Sequence, residues 1–486
     1  MNFRLGWLLG CGVVLGGVAS VVGCPASFPD NCSDNPNCDS DSGATSDGAS
    51  NDGAATCDPS KDPSCVSDSS GIFVSPKGAD SAAGTKEAPL KTIGAALTKA
   101  AGSKSAVYVC VGAYAEHVKV TSPVNLYGGF ACTDWTYAAT NKPKVAPSDA
   151  GYALDIENVS SAVAVQDLEF DAVDGKNAGD SSIAVFVSSS NVTFTRDTLS
   201  AGAGVAGTTG TLTPLTFPDQ SVLNGNNSDG GTPGAANTVD CPGDAGTITV
   251  GGAGGANNGG NGSPGLPALD GGAGGTIVAC VGTNTGGQSG ASGGTPSNGN
   301  GASAHGTIET NAWIPAVGTN GAVGGPGQGG GGGAGISGFG GGGGGAGGCG
   351  GAGGGGGTGG GASIALLANA SAITFASSNL TSKSAGAGGN GAGGQSGQTP
   401  GGFHGNSSGT ACVGGAGGGG GSGGAGGGGA GGVSVGVLYK GSAPTVDSAT
   451  QSAITTASTG GAKGAGGASG TNDGIDGVAQ ATLEIK

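Results

Sequence analysis

Acidic side chains recur at two-residue spacing between residues 155 and 171. Asp155 and Glu157 form one such pair, and Glu169 and Asp171 form another. Alternate residues of a β-strand point to the same side, so each pair would present two carboxyl groups on one face. Two carboxyl groups flanking a glycosidic bond can act as the acid and the base of glycoside hydrolysis. Carbohydrate cleavage is therefore the chemistry against which this sequence has to be tested.

Other candidates for acid–base or metal chemistry are few. His117, His305 and His404 are the only imidazoles, and their unrelated contexts predict neither a Ser-His-Asp triad nor a zinc site. His117 follows Tyr114 and Glu116, which suggests an acid–base set, although a structural role for these residues is the preferred interpretation. No glycine tract has the spacing of a phosphate-binding loop. The sequence thus predicts no catalytic residue, no metal and no cofactor.

The N-terminus has the features of an export signal. Arg4 supplies a positive charge, and residues 5–22 are apolar and rich in glycine. Val21-Val22-Gly23-Cys24 follows and resembles the lipobox of bacterial lipoproteins, which implies lipidation of Cys24. Pro25 stands where an inner-membrane retention signal would have Asp, so the resemblance implies the outer membrane or the cell surface. A cleaved secretion signal and a retained anchor helix are the alternatives.

Ten cysteines remain once Cys11 in the signal and Cys24 are set aside. An even number of cysteines in an exported chain favours disulfides. Paired CxxC units are absent, which argues against zinc. Neighbours in sequence suggest the pairs Cys32–Cys38, Cys57–Cys65, Cys110–Cys132, Cys241–Cys280 and Cys349–Cys412, and many other pairings remain open.

Composition limits the fold and the partners. Glycine supplies 117 of the 486 residues and aromatic residues only 4%. Because glycine has no side chain to bury, the chain cannot fill one large core, and stacked repeats that share a thin core are favoured. The formal charge of −16 comes from 32 acidic and 16 basic residues. Nucleic acid is excluded as a partner, since phosphate binding requires clustered Lys and Arg.

A short strand, a helix with one apolar face and further short strands follow each other from residue 72 onwards. The most specific stretches are Phe73-Val-Ser-Pro-Lys-Gly-Ala-Asp80, Pro89-Leu-Lys-Thr-Ile93 and Gly112-Ala-Tyr114 with Glu116. Together they resemble the first module of pectin-lyase-like right-handed parallel β-helices. The resemblance implies an all-β solenoid whose open end is capped by the strand and a short helix. It implies no activity by itself.

The same family includes polysaccharide lyases and hydrolases. The only arrangement here that matches their carboxylates and basic residue is Arg196 with Asp197, near Asp167 and Glu169. The segment recurs further along the chain, and there Ser377 and Ser378 take the positions of Arg196 and Asp197. The hydrolase signatures Gly-His-Gly and Arg-Ile-Lys are also missing. We therefore interpret these residues as solvated groups on the outer face of the sheet.

A long-range repeat supports the solenoid. Short strands that recur in this way predict parallel pairing of each strand with its counterpart one turn away. A looser third copy starts at Ser434. The aligned stretches are Ser182-Ile-Ala-Val-Phe186 with Ser363-Ile-Ala-Leu-Leu367, Val192-Thr-Phe194 with Ile373-Thr-Phe375, and Leu199 with Leu380.

Two glycine-rich tracts, residues 201–361 and 384–432, separate these copies. They lack the strict spacing and the proline of collagen. In composition alone they resemble the PGRS-like glycine-rich repeats of a large mycobacterial surface family. Two structures remain open: flexible loops, or extended polyglycine strands packed side by side, which the absence of Cβ permits. The preferred interpretation is partly ordered loops that project from one side of the solenoid.

These observations predict the following organisation. A lipoprotein signal peptide (1–23) and an acidic, cysteine-containing disordered tether (24–70) precede the start and first rungs of the β-helix (71–200). A glycine-rich excursion (201–361), further rungs (362–383), a second excursion (384–432) and the C-terminal rungs (433–486) follow.

Location and architecture define the expected function. The sequence predicts a non-enzymatic, lipid-anchored envelope protein that displays glycine-rich loops for adhesion, matrix or structural contact. Its expected partners are the membrane, extracellular polysaccharide or other surface proteins. A carbohydrate-active or carbohydrate-binding β-helix protein is the alternative, and convergence of Arg196, Asp167 and Glu169 in a cleft would favour it. An ice- or mineral-binding surface would need regular threonine ladders, which the sequence does not supply.

Overall fold

A computed structural model describes residues 57–243, 247–257, 263, 265–266, 272–276, 286–309 and 311–486. The predicted signal peptide, the predicted lipidation site Cys24, most of the predicted tether and Cys32, Cys38 and Cys280 lie outside these residues. Within them, no helix is long and apolar enough to cross a membrane.

Strands dominate the described part of the chain, and the helices are short. The helices are a 3₁₀ turn (Pro63–Cys65), α1 (Ile93–Ala100), α2 (Gln220–Leu223) and α3 (Ser448–Ala453). The strands are β1 (Gly71–Val74), β2 (Ala106–Cys110), β3 (Ala113–Tyr114), β4 (Val118–Val120), β5 (Asn125–Phe130), β6 (Lys144–Val145), β7 (Leu154–Glu157), β8 (Val163–Gln166), β9 (Glu169–Asp171), β10 (Ser182–Ser188), β11 (Asn191–Thr195), β12 (Thr198–Ser200), β13 (Asn237–Asp240), β14 (Ile248–Gly251), β15 (Gly306–Glu309), β16 (Ala312–Pro315), β17 (Ser363–Asn369), β18 (Ala372–Ala376), β19 (Asn379–Thr381), β20 (Ser434–Lys440), β21 (Thr445–Val446), β22 (Ile454–Thr455) and β23 (Ala479–Glu484).

Three parallel sheets form the faces of an all-β parallel β-helix, as predicted. Each full turn adds one strand to sheet 1, one to sheet 2 and one to sheet 3. Sheet 1 has the order β23-β20-β17-β10-β7-β4, sheet 2 the order β1-β2-β5-β8-β11-β18-β21, and sheet 3 the order β22-β19-β12-β9-β6-β3. Two antiparallel hairpins, β13–β14 and β15–β16, lie outside these sheets.

The predicted repeat is confirmed in its register. β10 pairs with β17 so that Ser182 faces Ser363, and β11 pairs with β18 so that Phe194 faces Phe375. The two phenylalanine rings stack with their centroids 5.3 Å apart. Like residues therefore lie above one another in a thin core made of Val, Ile, Leu and Phe.

The chain turns between sheets through residues in the left-handed backbone region. Asp167, Arg196 and Ser377 have φ values of 58°, 56° and 52°, and they follow one another at the corner between sheets 2 and 3. Non-glycine residues adopt this conformation rarely, so their recurrence at one corner indicates that the turn geometry repeats from rung to rung.

The described residues of both glycine tracts pack against one another as extended segments, so the preferred interpretation of loops that project from the solenoid is wrong. Gly348, Gly351, Gly354 and Gly357 donate their N–H groups to the carbonyls of residues 418, 421, 424 and 427. A repeat of three residues is that of the polyproline II helix, which has no internal hydrogen bonds and can satisfy its backbone through neighbours. The alternative of extended polyglycine segments packed side by side is the one found, and we call this assembly the polyglycine bundle.

Segment 411–433 lies at the centre of the polyglycine bundle. It exchanges backbone hydrogen bonds with six other segments: 286–302, 316–335, 340–361, 386–405, 460–467 and 472–478. At Gly351, in a neighbouring segment, an added Cβ would lie 2.0 Å from the carbonyl oxygen of Gln395. Such close approach of backbones explains why the central segments consist almost entirely of glycine and alanine.

The ordered body extends further towards the N-terminus than predicted, and its C-terminal region is not made of β-helix rungs alone. It includes residues 57–70 of the predicted tether, because the loop closed by Cys57 and Cys65 packs with Val66 against Tyr108 and Phe73. Near the C-terminus, residues 460–467 and 472–478 join the polyglycine bundle, so the last region is not made of rungs alone.

Candidate functional site

Arg196 and Asp167 are brought together, but they bind each other. The Nε and Nη2 atoms of Arg196 donate to the two carboxylate oxygens of Asp167 over 2.8 Å. Tyr137 Oη donates to Asp167 Oδ2 over 2.6 Å and accepts from Arg196 Nη2 over 2.9 Å. Asp167 is completely buried, so the interpretation of this residue as a solvated acid is wrong.

The pKa shifts of Arg196 and Tyr137 fit an ion pair in which Arg196 stays protonated and Asp167 stays bound to it. Its hydrogen bonds to Asp167 raise the pKa of Arg196 above its usual value. Burial raises the pKa of Tyr137 to about 12, and the bond to Asp167 adds to the effect. A base for lyase chemistry would need to lose a proton near neutral pH, and neither group is suited to that.

Asp197 is also buried, and its carboxylate accepts hydrogen bonds from backbone N–H groups. Its Oδ1 accepts the N–H of Leu168 over 2.8 Å, and its Oδ2 accepts the N–H of Thr195 over 3.0 Å. In the next rung Ser378 takes the same position and accepts the N–H of Asp197. Buried polar groups of this kind satisfy the backbone at a turn. Burial raises the pKa of Asp197 well above its usual value, with the nearby carboxylate of Asp167 contributing.

The pair Asp155 and Glu157 shares one face of β7, as predicted, and is bridged by a lysine. Lys119 Nζ lies 2.7 Å from Asp155 Oδ2 and 2.7 Å from Glu157 Oε2. Asn311, at the turn of the β15–β16 hairpin, donates to Glu157 Oε1. Burial raises the pKa of Asp155. The two carboxyl groups are largely buried and both bind the ammonium group of Lys119, so they do not flank an open space that could take a glycosidic bond.

The second acidic pair, Glu169 and Asp171, lies on β9. Glu169, the third member of the expected cluster, lies on β9, where its backbone pairs with Lys144 and Thr198. Asp171 on the same face forms an ion pair with Lys144. No hydrogen bond or ion pair joins Glu169 to Arg196 or Asp167 among the described residues, so the convergence that would have favoured the carbohydrate-active alternative is not supported.

Tyr114, Glu116 and His117 have structural partners. Glu116 accepts the N–H groups of Ile93 and Gly94 at the start of α1, over 2.8 and 2.9 Å. Tyr114 Oη donates to the carbonyl of Cys110 over 2.8 Å, and His117 bonds to the carbonyl of Tyr152. A carboxylate at a helix N-terminus satisfies exposed N–H groups and complements the helix dipole.

The disulfides agree with two of the suggested pairs and correct two others. Cys57 is bonded to Cys65 and Cys110 to Cys132, as suggested. Cys241 is bonded to Cys349 over a separation of 108 residues, so the pairs Cys241–Cys280 and Cys349–Cys412 are wrong. Cys412 is also disulfide-bonded. Local spacing fails here because the polyglycine bundle brings distant segments together.

The outer surface of the polyglycine bundle is the extended feature that sequence reasoning missed. Segment 286–302 reads Gly-x-x, with Gly287, Gly290, Gly293 and Gly299 donating N–H groups to segment 411–433. The positions between them expose small or polar side chains: Gln288, Ser289, Ala291, Ser292, Thr295, Ser297 and Asn298. The signal was present in the sequence as glycines at the three-residue spacing 287, 290, 293 and 299, interrupted by Pro296.

Fold and site together define a parallel β-helix that carries a polyglycine bundle. The described residues contain no group of three or more His, Cys, Asp or Glu placed to hold a metal ion. A family described as "Protein of unknown function (DUF1565)", which is associated with parallel β-helix proteins, matches residues 76–209. No curated protein and no solved structure matches the chain.

Proposed function

We propose that this chain is an exported, lipid-anchored envelope protein that acts by contact and not by catalysis. The β-helix would present the polyglycine bundle as a rigid surface for adhesion, matrix or structural interaction. The observation that carries the proposal is the bundle itself, an ordered assembly whose edge segments expose rows of small, uncharged side chains.

The surface of segment 286–302 suits weak, repeated contacts. Its outward positions bear Ser, Thr, Asn, Gln and Ala, and no charged residue occurs between Gly286 and Ala302. A surface without a deep aromatic pocket gains affinity through many simultaneous contacts in place of a few dominant ones. This supports binding to a repetitive partner, such as a polysaccharide or another surface protein.

Export is supported by the disulfides and by the N-terminal sequence. Bonds such as Cys110–Cys132 and Cys241–Cys349 persist in oxidising compartments and are rare in the cytosol. The resemblance of residues 21–24 to a lipobox supplies the proposed anchor, Cys24. Under this proposal the protein is held at the outer membrane or the cell surface.

The alternative of a polysaccharide lyase or hydrolase has no observation in its favour among the described residues. Arg196 and Asp167 neutralise each other, Asp197 serves the backbone, and Lys119 bridges Asp155 and Glu157. Carbohydrate enters the proposal only as one kind of surface partner.

The anchor is tested by fractionating bacterial cells that express the full chain or its Cys24→Ala variant. We expect the wild-type protein in the membrane fraction and the variant in the soluble exported fraction. Cys11→Ala, which removes the other cysteine of the N-terminal segment, is the control and should behave as wild type. Equal membrane association of wild type and Cys24→Ala would refute the anchor.

Surface display is tested by protease treatment of intact cells. The body should be degraded from outside, and cells that express the wild type should bind to one another or to a matrix more strongly than cells that express Cys24→Ala. A protein that resists external protease, with cell adhesion unaltered by expression, would argue against the contact function.

A further inference from the structure

Segments 340–361 and 316–335 of the polyglycine bundle run side by side, and segment 249–257 lies against both of them over only part of their length. We call the line along which segment 249–257 lies the row. Segment 340–361 directs the N–H groups of Gly341 and Gly344 to the carbonyls of Gly255 and Gly252. Three residues further on, the N–H of Gly347 donates to Thr249 Oγ1 over 2.7 Å. The same series continues to Gly353, whose N–H has no partner among the described residues. Segment 249–257 therefore fills this row over only part of its length.

The second wall of the row shows the same interruption. Segment 316–335 offers the carbonyls of Gly333 and Gly330 to the N–H groups of Gly255 and Gly252. The carbonyl of Gly327 accepts from Thr249 Oγ1 over 3.0 Å. The same three-residue spacing leads from Gly327 to Gly321, which borders open space. Within the described part of the chain, the carbonyl of Gly321 accepts no hydrogen bond.

Open space lies where the row would continue. A cavity of about 710 Å³ is lined by Gly353 and Gly356 of segment 340–361, by Asn320 and Val323 of segment 316–335, and by Thr208, Thr209, Thr211 and Thr213. We call it the threonine groove. Leu215 and Gly243 border it as well, and the Asn320 side chain accepts the N–H of Gly356 over 2.9 Å. Unpaired backbone groups beside an open groove form a template for another extended chain.

We propose that the threonine groove binds an extended glycine-rich peptide segment of another molecule, which continues the interrupted row. At three residues per turn, such a segment repeats its carbonyl and N–H groups about every 9 Å, the spacing on which this lattice is built. Side chains on the occupant would be excluded where it faces the walls: in the existing part of the row, a Cβ on Gly254 would lie 2.0 Å from the carbonyl oxygen of Gly341.

This inference deepens the proposed contact function and rests on it only in treating the polyglycine bundle as a binding surface. Peptide binding in solution does not depend on the lipid anchor. Full-length Cys24→Ala protein can therefore be used for the measurement, and a failure of the membrane experiment would leave this result untouched. Conversely, adhesive cells whose protein fails to bind the peptide would overturn the groove and leave the contact function standing.

The probe is a fluorescent, acetylated Gly-Gly-Asn repeat peptide of about twelve residues, with an Ala-Ala-Asn repeat of equal length as its control. Fluorescence anisotropy should show binding of the glycine peptide and an affinity at least about tenfold lower for the alanine peptide. Equal affinity for the two peptides, or no binding of the glycine peptide up to about 1 mM, would overturn the proposal.

The position of the site is tested by filling the threonine groove. Thr213→Trp and Val323→Trp, which change two residues that line the groove on different segments, should each weaken binding of the glycine peptide at least about tenfold. Thr98→Trp, an exposed change on α1, should leave the affinity unchanged. If all three variants bind like the wild type, the peptide does not occupy this groove.

Hydrogen exchange gives a measurement that is independent of variant folding. The Gly353 amide is unpaired, whereas the Gly354 amide donates to the carbonyl of Gly424 over 2.9 Å. Saturating glycine peptide should slow exchange at Gly353 by at least about tenfold and leave Gly354 nearly unchanged. Exchange at Gly353 that is the same with and without peptide would contradict the proposal.

Discussion

At the scale of single residues, Asp167 and Asp197, which with Arg196 formed the candidate lyase-like cluster, stabilise a corner of the β-helix. Asp167 and Arg196 occupy left-handed corner positions, with φ values of 58° and 56°, and form a bidentate ion pair with Tyr137 beside it. Asp197, the next residue, binds two backbone N–H groups. Their burial and mutual saturation favour a structural role over a catalytic one.

Arg196→Ala should destabilise the protein, because it leaves Asp167 buried without its charged partner. We expect a loss of about 3 kcal/mol in the free energy of unfolding, the magnitude typical of breaking a buried ion pair. Lys383→Ala is the control, since Lys383 and Asp174 are both more than half exposed; its removal should cost no more than about 1 kcal/mol. Denaturant unfolding measures both changes, and equal costs would contradict the structural role of Arg196.

Asp197 should make stability depend on pH in a direction opposite to that of most paired acids. Its pKa is raised in the folded state by burial and by Asp167, so the folded protein holds this proton more tightly than the unfolded chain. Its contribution to stability is therefore fully present below the unfolded pKa of about 4 and declines as the pH rises towards the folded pKa.

The comparison of wild type with Asp197→Asn isolates this effect, because the other acids cancel. We expect the stability difference between the two proteins to shift in favour of Asp197→Asn as the pH rises above about 4, by up to about 1.4 kcal/mol per pH unit. Denaturant unfolding at a series of pH values provides the measurement. A difference that is constant with pH would show that the pKa of Asp197 is not raised.

At the scale of elements, the polyglycine segments require glycine for contact and not for flexibility. Gly351→Ala would place a Cβ 2.0 Å from the carbonyl oxygen of Gln395, whereas Gly294→Ala meets no atom within 4 Å. We expect Gly351→Ala to cost about 3 kcal/mol through overpacking. Gly294→Ala should be neutral or stabilise by about 0.5 kcal/mol, since alanine restricts the unfolded chain. Thermal unfolding distinguishes the two, and equally tolerated substitutions would contradict the close packing.

The strands of the three sheets and their register can be predicted from the sequence, because their buried apolar side chains recur in the same order in each copy of the repeat. The alignment of residues 182–186 with 363–367 gives the observed register of β10 and β17, since buried Val, Ile, Leu and Phe must stack. The polyglycine bundle could not be predicted in the same way. Gly351 contacts Gly324, Gln395 and Gly421, and segments without side chains give no pattern from which these distant partners can be identified.

The acid cluster shows the same limit for polar residues. The spacing of Asp155 and Glu157 correctly places them on one face of a strand, but it gives no sign of Lys119 from β4 or of Asn311 from the β15–β16 hairpin. Similarly, Tyr137 reaches Asp167 from a loop thirty residues away in sequence. The local sequence pattern predicts the face of the strand on which an acidic side chain lies. Its burial and its ion-pair partners depend on which distant segment covers that face.

At the scale of the whole molecule, the β-helix and the polyglycine bundle are continuous. Segment 340–361 runs directly into β17, and segment 411–433 runs directly into β20. Neither part can lose its structure without removing hydrogen-bond partners from the other, so we expect one cooperative unfolding transition for the described body. Two separate transitions would show that the bundle is an independent unit.

The Cys241–Cys349 disulfide should contribute strongly to that single transition. It joins the region of the β13–β14 hairpin to segment 340–361 and spans 108 residues, whereas Cys57–Cys65 spans only 8. In the chain-entropy account, replacing both cysteines of the longer bond by alanine should cost about 5 kcal/mol, against about 2.5 kcal/mol for the shorter one. Denaturant unfolding of the two double variants gives the comparison. Equal losses would mean that the unfolded ensemble already keeps the two ends of the longer bond close together.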